Sequence, residues 1–170
     1  NANVGRVNKA GATPADLVAR HCNREMLDAI GAADRQIKAA FGARLVHLLV
    51  RHCDDPQAFD GLIDARSIDQ RDALGRTLLW YAARRSSRRW CAFLIGRGVS
   101  TTTADIAGLT PLHLAAATGD QDLAALLLAN GADPEAHDAS ANTPLMLAAA
   151  GGHAGSVAKL LPLASNIDRK

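Results

Sequence analysis

Apolar residues recur along this chain at a fixed interval. Residues 110–116 read TPLHLAA and residues 143–149 read TPLMLAA, 33 positions later. Residues 77–83 read TLLWYAA, 33 positions earlier, and keep the same order of polar and apolar side chains. Self-similarity with a period of roughly 20–50 residues is typical of stacked repeat arrays. The pattern therefore predicts a row of similar units.

Each unit is predicted to contain two short helices. Thr110 is a good N-cap, and Pro111 suits the first helical position, where its missing N–H leaves no partner unsatisfied. Gly119 interrupts the first helix, and Gly131 ends the second in a place suited to a left-handed residue. The apolar positions of the second helix fall at i, i+3 and i+4, namely Leu123, Leu126 and Leu127. Neither helix can bury its apolar stripe alone, so neighbouring units must stack.

The segments TPLHLAA at 110–116 and GAD at 131–133 resemble the ankyrin repeat. The resemblance implies an all-α, ankyrin-type α-solenoid of antiparallel helix pairs joined by β-turn fingers. It also implies that a partner binds on the concave face. By the same resemblance, His113 is expected to hydrogen-bond between neighbouring repeats and to have no catalytic role.

The chain is long enough for about five such units, and we predict one continuous array. A first, truncated unit (1–33) and a degenerate unit (34–71) with one long helix capped by Asp34 precede three regular units, 72–104, 105–137 and 138–170. The repeat pattern begins and ends inside a unit, so we expect the chain to be a piece of a longer protein.

Charge is segregated along the array, although the net charge is only +2. Residues 66–104 contain eight arginines against Asp69 and Asp72, a net charge of +6. Residues 105–170 contain three basic and seven acidic groups, a net charge of −4. Two interpretations stay open. The arginines form either a solvated face or a basic pocket suited to carboxylate or phosphate.

The resemblance places ten residues in partner-facing positions. They are Arg51, His52, Arg76, Trp80, Arg84, Arg85, Arg97, Ile106, Leu109 and Thr118. Trp80 and its neighbour Tyr81 have two interpretations, as packing residues or as an aromatic anchor for the partner.

The cysteines give little sign of chemistry. Cys22 and Cys53 are expected at equivalent turns of stacked helices, and packed helix axes lie about 8–10 Å apart. That separation exceeds the reach of a shared zinc ion and of a disulfide, so we predict neither. Cys91 is expected in the core. We find no catalytic pair or phosphate-binding loop and predict no enzyme, metal, cofactor or small-molecule substrate.

These observations favour a protein–protein interaction scaffold, monomeric and cytoplasmic, that binds another protein, with an acidic segment as the candidate ligand. No apolar run is long enough for membrane insertion. Two alternatives remain. The chain could recruit substrate for a larger enzyme or act as a bacterial effector delivered into a host cytosol. Nucleic acid or anionic lipid could bind the arginine cluster, although the small net charge makes this the weaker hypothesis.

Overall fold

In the computed structural model, residues 7–10, 12, 17, 25, 47, 49–57 and 68–164 are described. Regular structure within 68–164 is entirely helical. Three helix pairs follow one another: α1 (Leu78–Arg84) and α2 (Arg88–Gly96), α3 (Pro111–Thr118) and α4 (Gln121–Ala129), α5 (Pro144–Ala150) and α6 (Ala154–Leu160), with a 3-10 turn at Leu161–Leu163. This arrangement confirms the predicted all-α repeat fold. The unit 1–33 and the long helix predicted from Asp34 fall almost wholly outside the described residues.

A threonine begins each first helix, as predicted. Its backbone is extended, and its hydroxyl oxygen accepts a hydrogen bond from the backbone N–H three residues later. The donor–acceptor distances are 3.2, 3.4 and 3.3 Å for Thr77, Thr110 and Thr143. The helix therefore starts at the same place in each unit because the cap satisfies a backbone N–H that the helix leaves free.

An aspartate side chain stabilises each finger, the turn that precedes each of the helices α1, α3 and α5. The Asp105 Oδ1 accepts hydrogen bonds from the backbone N–H groups of Ala107 and Leu109, both at 2.9 Å. Two aspartates repeat this double contact in the adjacent fingers, Asp72 and Asp138. The side chain thus substitutes for backbone partners in the turn and fixes its shape.

Adjacent fingers are joined through their backbones. The N–H of Ile106 donates to the carbonyl oxygen of Leu74 at 3.0 Å, and the N–H of Ala139 donates to that of Ala107 at 2.8 Å. The close approach requires glycine at 108, where φ is +75° and an added Cβ would lie 2.9 Å from the backbone of Asp138. The three fingers therefore form one continuous edge.

The core runs along the array between the helices. Its largest members have no exposed surface, and among them are Leu78, Trp90, Leu112, Leu123 and Leu127. Neighbouring first helices contact each other more extensively than neighbouring second helices do. The array therefore curves toward the first helices and fingers, and curvature of this kind produces the concave binding surface of solenoids.

His113 links two units, as the resemblance implied. Its Nδ1 accepts a hydrogen bond from the Thr110 N–H at 3.3 Å, so the proton of the neutral ring is on Nε2. The Nε2 donates to the Asn142 carbonyl oxygen at 3.0 Å in the next finger. Burial lowers the pKa of His113, which keeps the ring neutral in this role. No helix in the described part of the chain is long and apolar enough to cross a membrane.

Candidate partner-binding site

The inner face of the array, formed by the first helices and the fingers, has exposed residues near the end of each first helix, among them one set of equivalent positions. The residues of this set lie 33 positions apart and are Arg51, Arg84, Ala117 and Ala150. All four are helical and exposed, whereas the residues just before them in the helices are mostly buried. The inner face is therefore cationic at one end and small and apolar at the other.

Three of the predicted residues meet around Tyr81. The guanidinium carbon of Arg76 lies 5.2 Å from the ring centroid of Trp80 and 5.0 Å from that of Tyr81. Arg51, from the preceding unit, lies 5.8 Å from the same Tyr81 ring. These distances are within the range of cation–π attraction. The cluster therefore concentrates positive charge over two aromatic rings.

Asp72 holds this cluster in place. Its Oδ2 accepts hydrogen bonds from the Tyr81 hydroxyl at 2.7 Å and from the Arg76 guanidinium at 2.8 Å. Burial raises the pKa of the Asp72 carboxyl, but the hydrogen bonds from Tyr81 and Arg76 outweigh it and hold the pKa well below its usual range. Burial and the bond to Asp72 raise the pKa of Tyr81 to about 12. The carboxylate of Asp72 is consequently charged, and its hydrogen bonds connect Arg76 in the finger with Tyr81 on α1.

Trp80 lies in the core, with 8% of its surface exposed. Its ring packs edge-on against Tyr81, with 5.3 Å between the centroids. Its Nε1 is buried and has no hydrogen-bond partner in the described part of the chain, whereas the equivalent His113 bonds to the next finger. Of the two interpretations of Trp80, packing fits this burial and an exposed anchor does not.

Arg85 faces the preceding unit. Its guanidinium donates to the carbonyl oxygen of Val50 at 2.7 Å and pairs with the carboxylate of Asp54 at 2.9 Å. The indole N–H of Trp90 donates to the Cys53 carbonyl oxygen at 2.6 Å in the same turn. Arg85 therefore binds one unit to the next, and removing it would disturb that junction.

Arg84 lies on the inner face with a free guanidinium. It is exposed, and no carboxylate in the described part of the chain pairs with it. Arg97 is placed differently, because its guanidinium stacks 4.9 Å from the ring of Phe93 on the second helix α2. Of the arginines predicted from unit 72–104, Arg84 is thus the cation most available to a partner.

The remaining predicted residues are spread along the inner face. Ile106 is 70% exposed at its finger, and Leu109 is half-buried behind it. Thr118 is exposed, and its hydroxyl donates to the Leu114 carbonyl oxygen at 2.9 Å. His52 is exposed next to Arg51. The structure thus brings Arg51, Arg76 and Trp80 together around Tyr81.

Sequence reasoning missed the carboxylates that neutralise several arginines. Arg88 pairs with Asp120 at 3.1 Å and with Asp122 at 2.8 Å, both in the next unit. These contacts border an open cavity of about 540 Å³, whose lining is Asp54, Arg85, Ser86, Ser87, Arg88, Arg89 and Asp120. The sequence contains one hint of these ion pairs, which is their spacing. Asp54 lies about one unit before Arg85, and Asp120 lies about one unit after Arg88. The net charge of +6 counted along the chain therefore overstates the free charge in space.

The prediction that Cys53 forms no disulfide is wrong. Cys53 is disulfide-bonded, and Cys91 is free and buried. The prediction used the spacing of helix axes, but Cys53 lies beyond the end of its helix, where axis spacing does not set the distance to another turn. Its partner is not among the described residues. Cys91 is in the core as predicted, and burial raises the pKa of its thiol to about 12, so it is not a reactive nucleophile.

Comparison with known proteins agrees with this architecture. The family model for ankyrin repeats, with three copies, matches residues 36–138 and again residues 105–170. The chain belongs to the ankyrin repeat family. No curated protein matches this chain. Ankyrin repeats generally serve as protein–protein interaction modules and are typically non-catalytic. The capping threonines, the finger aspartates and His113 are therefore parts of the ankyrin scaffold.

Proposed function

We propose that this ankyrin array binds an acidic segment of another protein on its inner face, at the units 72–104 and 105–137. The proposal rests on one observation, the exposed guanidinium of Arg84, which pairs with no carboxylate among the described residues and belongs to the same helix as Tyr81, the ring under Arg51 and Arg76. An arginine pairs with a carboxylate through two parallel hydrogen bonds, and such charge-assisted bonds are stronger than neutral ones. A carboxylate at Arg84 would complete a contact that the folded chain leaves open.

The neighbouring unit supports the same partner. Ala117 and Thr118 occupy the positions of Arg84 and Arg85 one unit later, and both are exposed. Their small side chains leave room for a backbone to lie against α3. Ile106 offers an exposed apolar contact at the finger beside them. The site would therefore take a segment that is acidic at one point and apolar at the next.

A protein partner fits better than nucleic acid. Arg76, Arg85 and Arg88 already pair with aspartates. Nucleic acid requires several free cations along its phosphate backbone. The free arginines of the described residues are too few and too separated for that role. We further propose that the array works as a monomer and catalyses nothing itself.

Photo-crosslinking tests the proposal. A photoreactive amino acid would replace Ala117 on the inner face, or Ala158, an exposed alanine on α6, as the matched control. In extracts of cells that make the protein, we expect a discrete protein adduct from position 117 and none from position 158. Equal adducts from both positions would refute an inner-face site.

A charge reversal tests the role of Arg84. Arg84→Glu should reduce the adduct about tenfold, because an attraction becomes a repulsion. Lys159→Glu is the matched control, since both residues are exposed cations in the last turn of a helix and carry a similar dipole cost. Circular dichroism would verify that both variants keep their helicity. An adduct unchanged by Arg84→Glu would show that the cation does not contribute.

A further inference from the structure

The four exposed inner-face positions form a series with a definite order. From the unit before α1 to α5 they are Arg51, Arg84, Ala117 and Ala150. Equivalent residues of stacked units lie in a row along the groove, so a partner that follows the groove meets them one after another. Two cations come first and two methyl groups follow.

The cations in this series are open to a ligand. Neither Arg51 nor Arg84 pairs with a carboxylate among the described residues. The guanidinium carbon of Arg51 lies 5.8 Å from the centroid of the Tyr81 ring, a cation–π contact that uses none of the guanidinium N–H groups as hydrogen-bond donors. The neighbouring arginines differ, because Arg76 and Arg85 already donate to Asp72 and Asp54.

The second half of the series consists of two alanines, which have small apolar side chains and no charge. Ala117 and Ala150 are exposed, and glycines follow α5 at positions 151 and 152. No described cation takes the place of Arg84 in these two units. Acidic side chains would find no partner there, whereas small apolar side chains could pack against the helix ends. The chemistry of the partner must therefore change along the groove.

The spacing of the series sets the spacing in the partner. Packed helices lie about 8–10 Å apart, and an extended chain advances about 3.3 Å per residue. One partner residue in about three therefore falls opposite each unit. Two carboxylates about three residues apart would match Arg51 and Arg84, and two apolar residues at the same spacing would match the alanines.

We propose that the inner face selects an extended protein segment with its carboxylates at one end and small apolar residues at the other, each about three residues apart. This inference rests on the proposed function and adds the order and spacing of the recognised residues. The order distinguishes it from general attraction between a basic groove and an acidic chain.

Two synthetic peptides of one composition provide the probe. Both carry two glutamates and two valines in a glycine–serine background, with one such residue opposite each unit. The segregated peptide has the glutamates together at one end, and the alternating peptide interleaves glutamate and valine. Fluorescence anisotropy should show the array binding the segregated peptide about fivefold more tightly, because the alternating peptide loses one carboxylate–guanidinium contact.

A variant that exchanges two residues gives the decisive measurement. Arg84→Ala combined with Ala117→Arg keeps the composition and the net charge but changes the series to arginine, alanine, arginine, alanine. Both positions are exposed near helix ends, where a basic residue is favourable. The exchanged array should prefer the alternating peptide by about the same fivefold factor.

The possible results separate the two proposals. A reversal of preference in the exchanged array supports the ordered series. Equal affinity for both peptides in the parent and in the exchanged array would overturn the ordered series while leaving an unordered acidic partner. Absence of peptide binding would also overturn it. Whether the proposed function fails as well is decided separately by the crosslinking at position 117.

Discussion

At the residue scale, identical side chains have different roles according to their neighbours. Arg76 pairs with Asp72 in its own finger, Arg85 bridges to the preceding unit, and Arg88 bridges to the next. Arg84 has none of these contacts. The aspartates that bind Arg85 and Arg88 come from other units, so in the sequence only the spacing of about one unit hints at these pairs. Of these four arginines, Arg84 is the one without a carboxylate partner in the described part of the chain, so its charge is available to a partner.

The Asp72 carboxylate predicts a pH dependence of stability. Its pKa is lowered in the folded state, so the stabilisation is present above the unfolded pKa of about 3.9 and is lost as the pH falls through the folded value. Asp72→Asn should lower the free energy of unfolding by about 1–3 kcal/mol near neutral pH. Below about pH 4 the difference between the two proteins should shrink toward zero.

Urea denaturation at several pH values would measure this difference. Asp69→Asn is the control, because Asp69 is exposed three residues away and should change stability by less than about 0.5 kcal/mol. A deficit in Asp72→Asn that stays constant down to the lowest pH would contradict the proposed ionic origin.

At the scale of the helices and turns, the same positions are built with different residues. The turn after a first helix uses a left-handed residue in all three described helix pairs, Ser86 with φ of +54°, Gly119 with φ of +72° and Gly152 with φ of +70°. Gly119 also lies against the ring of His153 in the next unit, and His153 bonds to the Ala117 carbonyl oxygen at 3.0 Å. Glycine is therefore required at this turn by conformation and by close contact together.

Two glycine substitutions separate these causes. Gly131→Ala meets no atom within 4 Å and should cost only the left-handed strain, about 1 kcal/mol. Gly119→Ala places a Cβ 2.5 Å from the His153 ring, so it should cost about 2–3 kcal/mol, because strain and displacement of the ring add. Chemical denaturation of both variants would measure the difference. Equal losses would show that His153 moves aside without cost.

At the scale of the whole molecule, stability comes from stacking. The middle first helix, α3, packs against its own second helix α4 and against the first helices α1 and α5 on both sides, and Leu112 is fully buried there. Damage to one unit should therefore weaken its neighbours as well, because each unit depends on nearest-neighbour contacts.

A core substitution in the middle unit tests this dependence. Leu112 has no exposed surface, so Leu112→Ala should cost about 2–5 kcal/mol. Ile106→Ala in the same unit is the control, because Ile106 is 70% exposed and should change stability by less than about 0.5 kcal/mol. Hydrogen exchange should show weaker protection in α1 and α5 of Leu112→Ala, and protection lost only in α3 and α4 would rule out coupling between units.

The sequence by itself determined the repeat and its elements. The capping threonines and the finger aspartates make contacts that span only three or four residues, so local patterns determine the helix starts and the turns. The 33-residue period predicts the stacked fold. The role of His113 between units was implied by the resemblance to the ankyrin motif, whereas its acceptor, the Asn142 carbonyl oxygen, is identified by the structure.

Only the tertiary structure decided the state of the candidate site. The burial of Trp80 and the pairing of Arg85 with Asp54 depend on distances between units, and the disulfide at Cys53 was not predicted from its sequence position. A repeat pattern fixes which positions are equivalent but not which side chains from adjacent units come within reach. The free charge on Arg84 is what remains after those contacts form, and it therefore becomes visible only in the folded array.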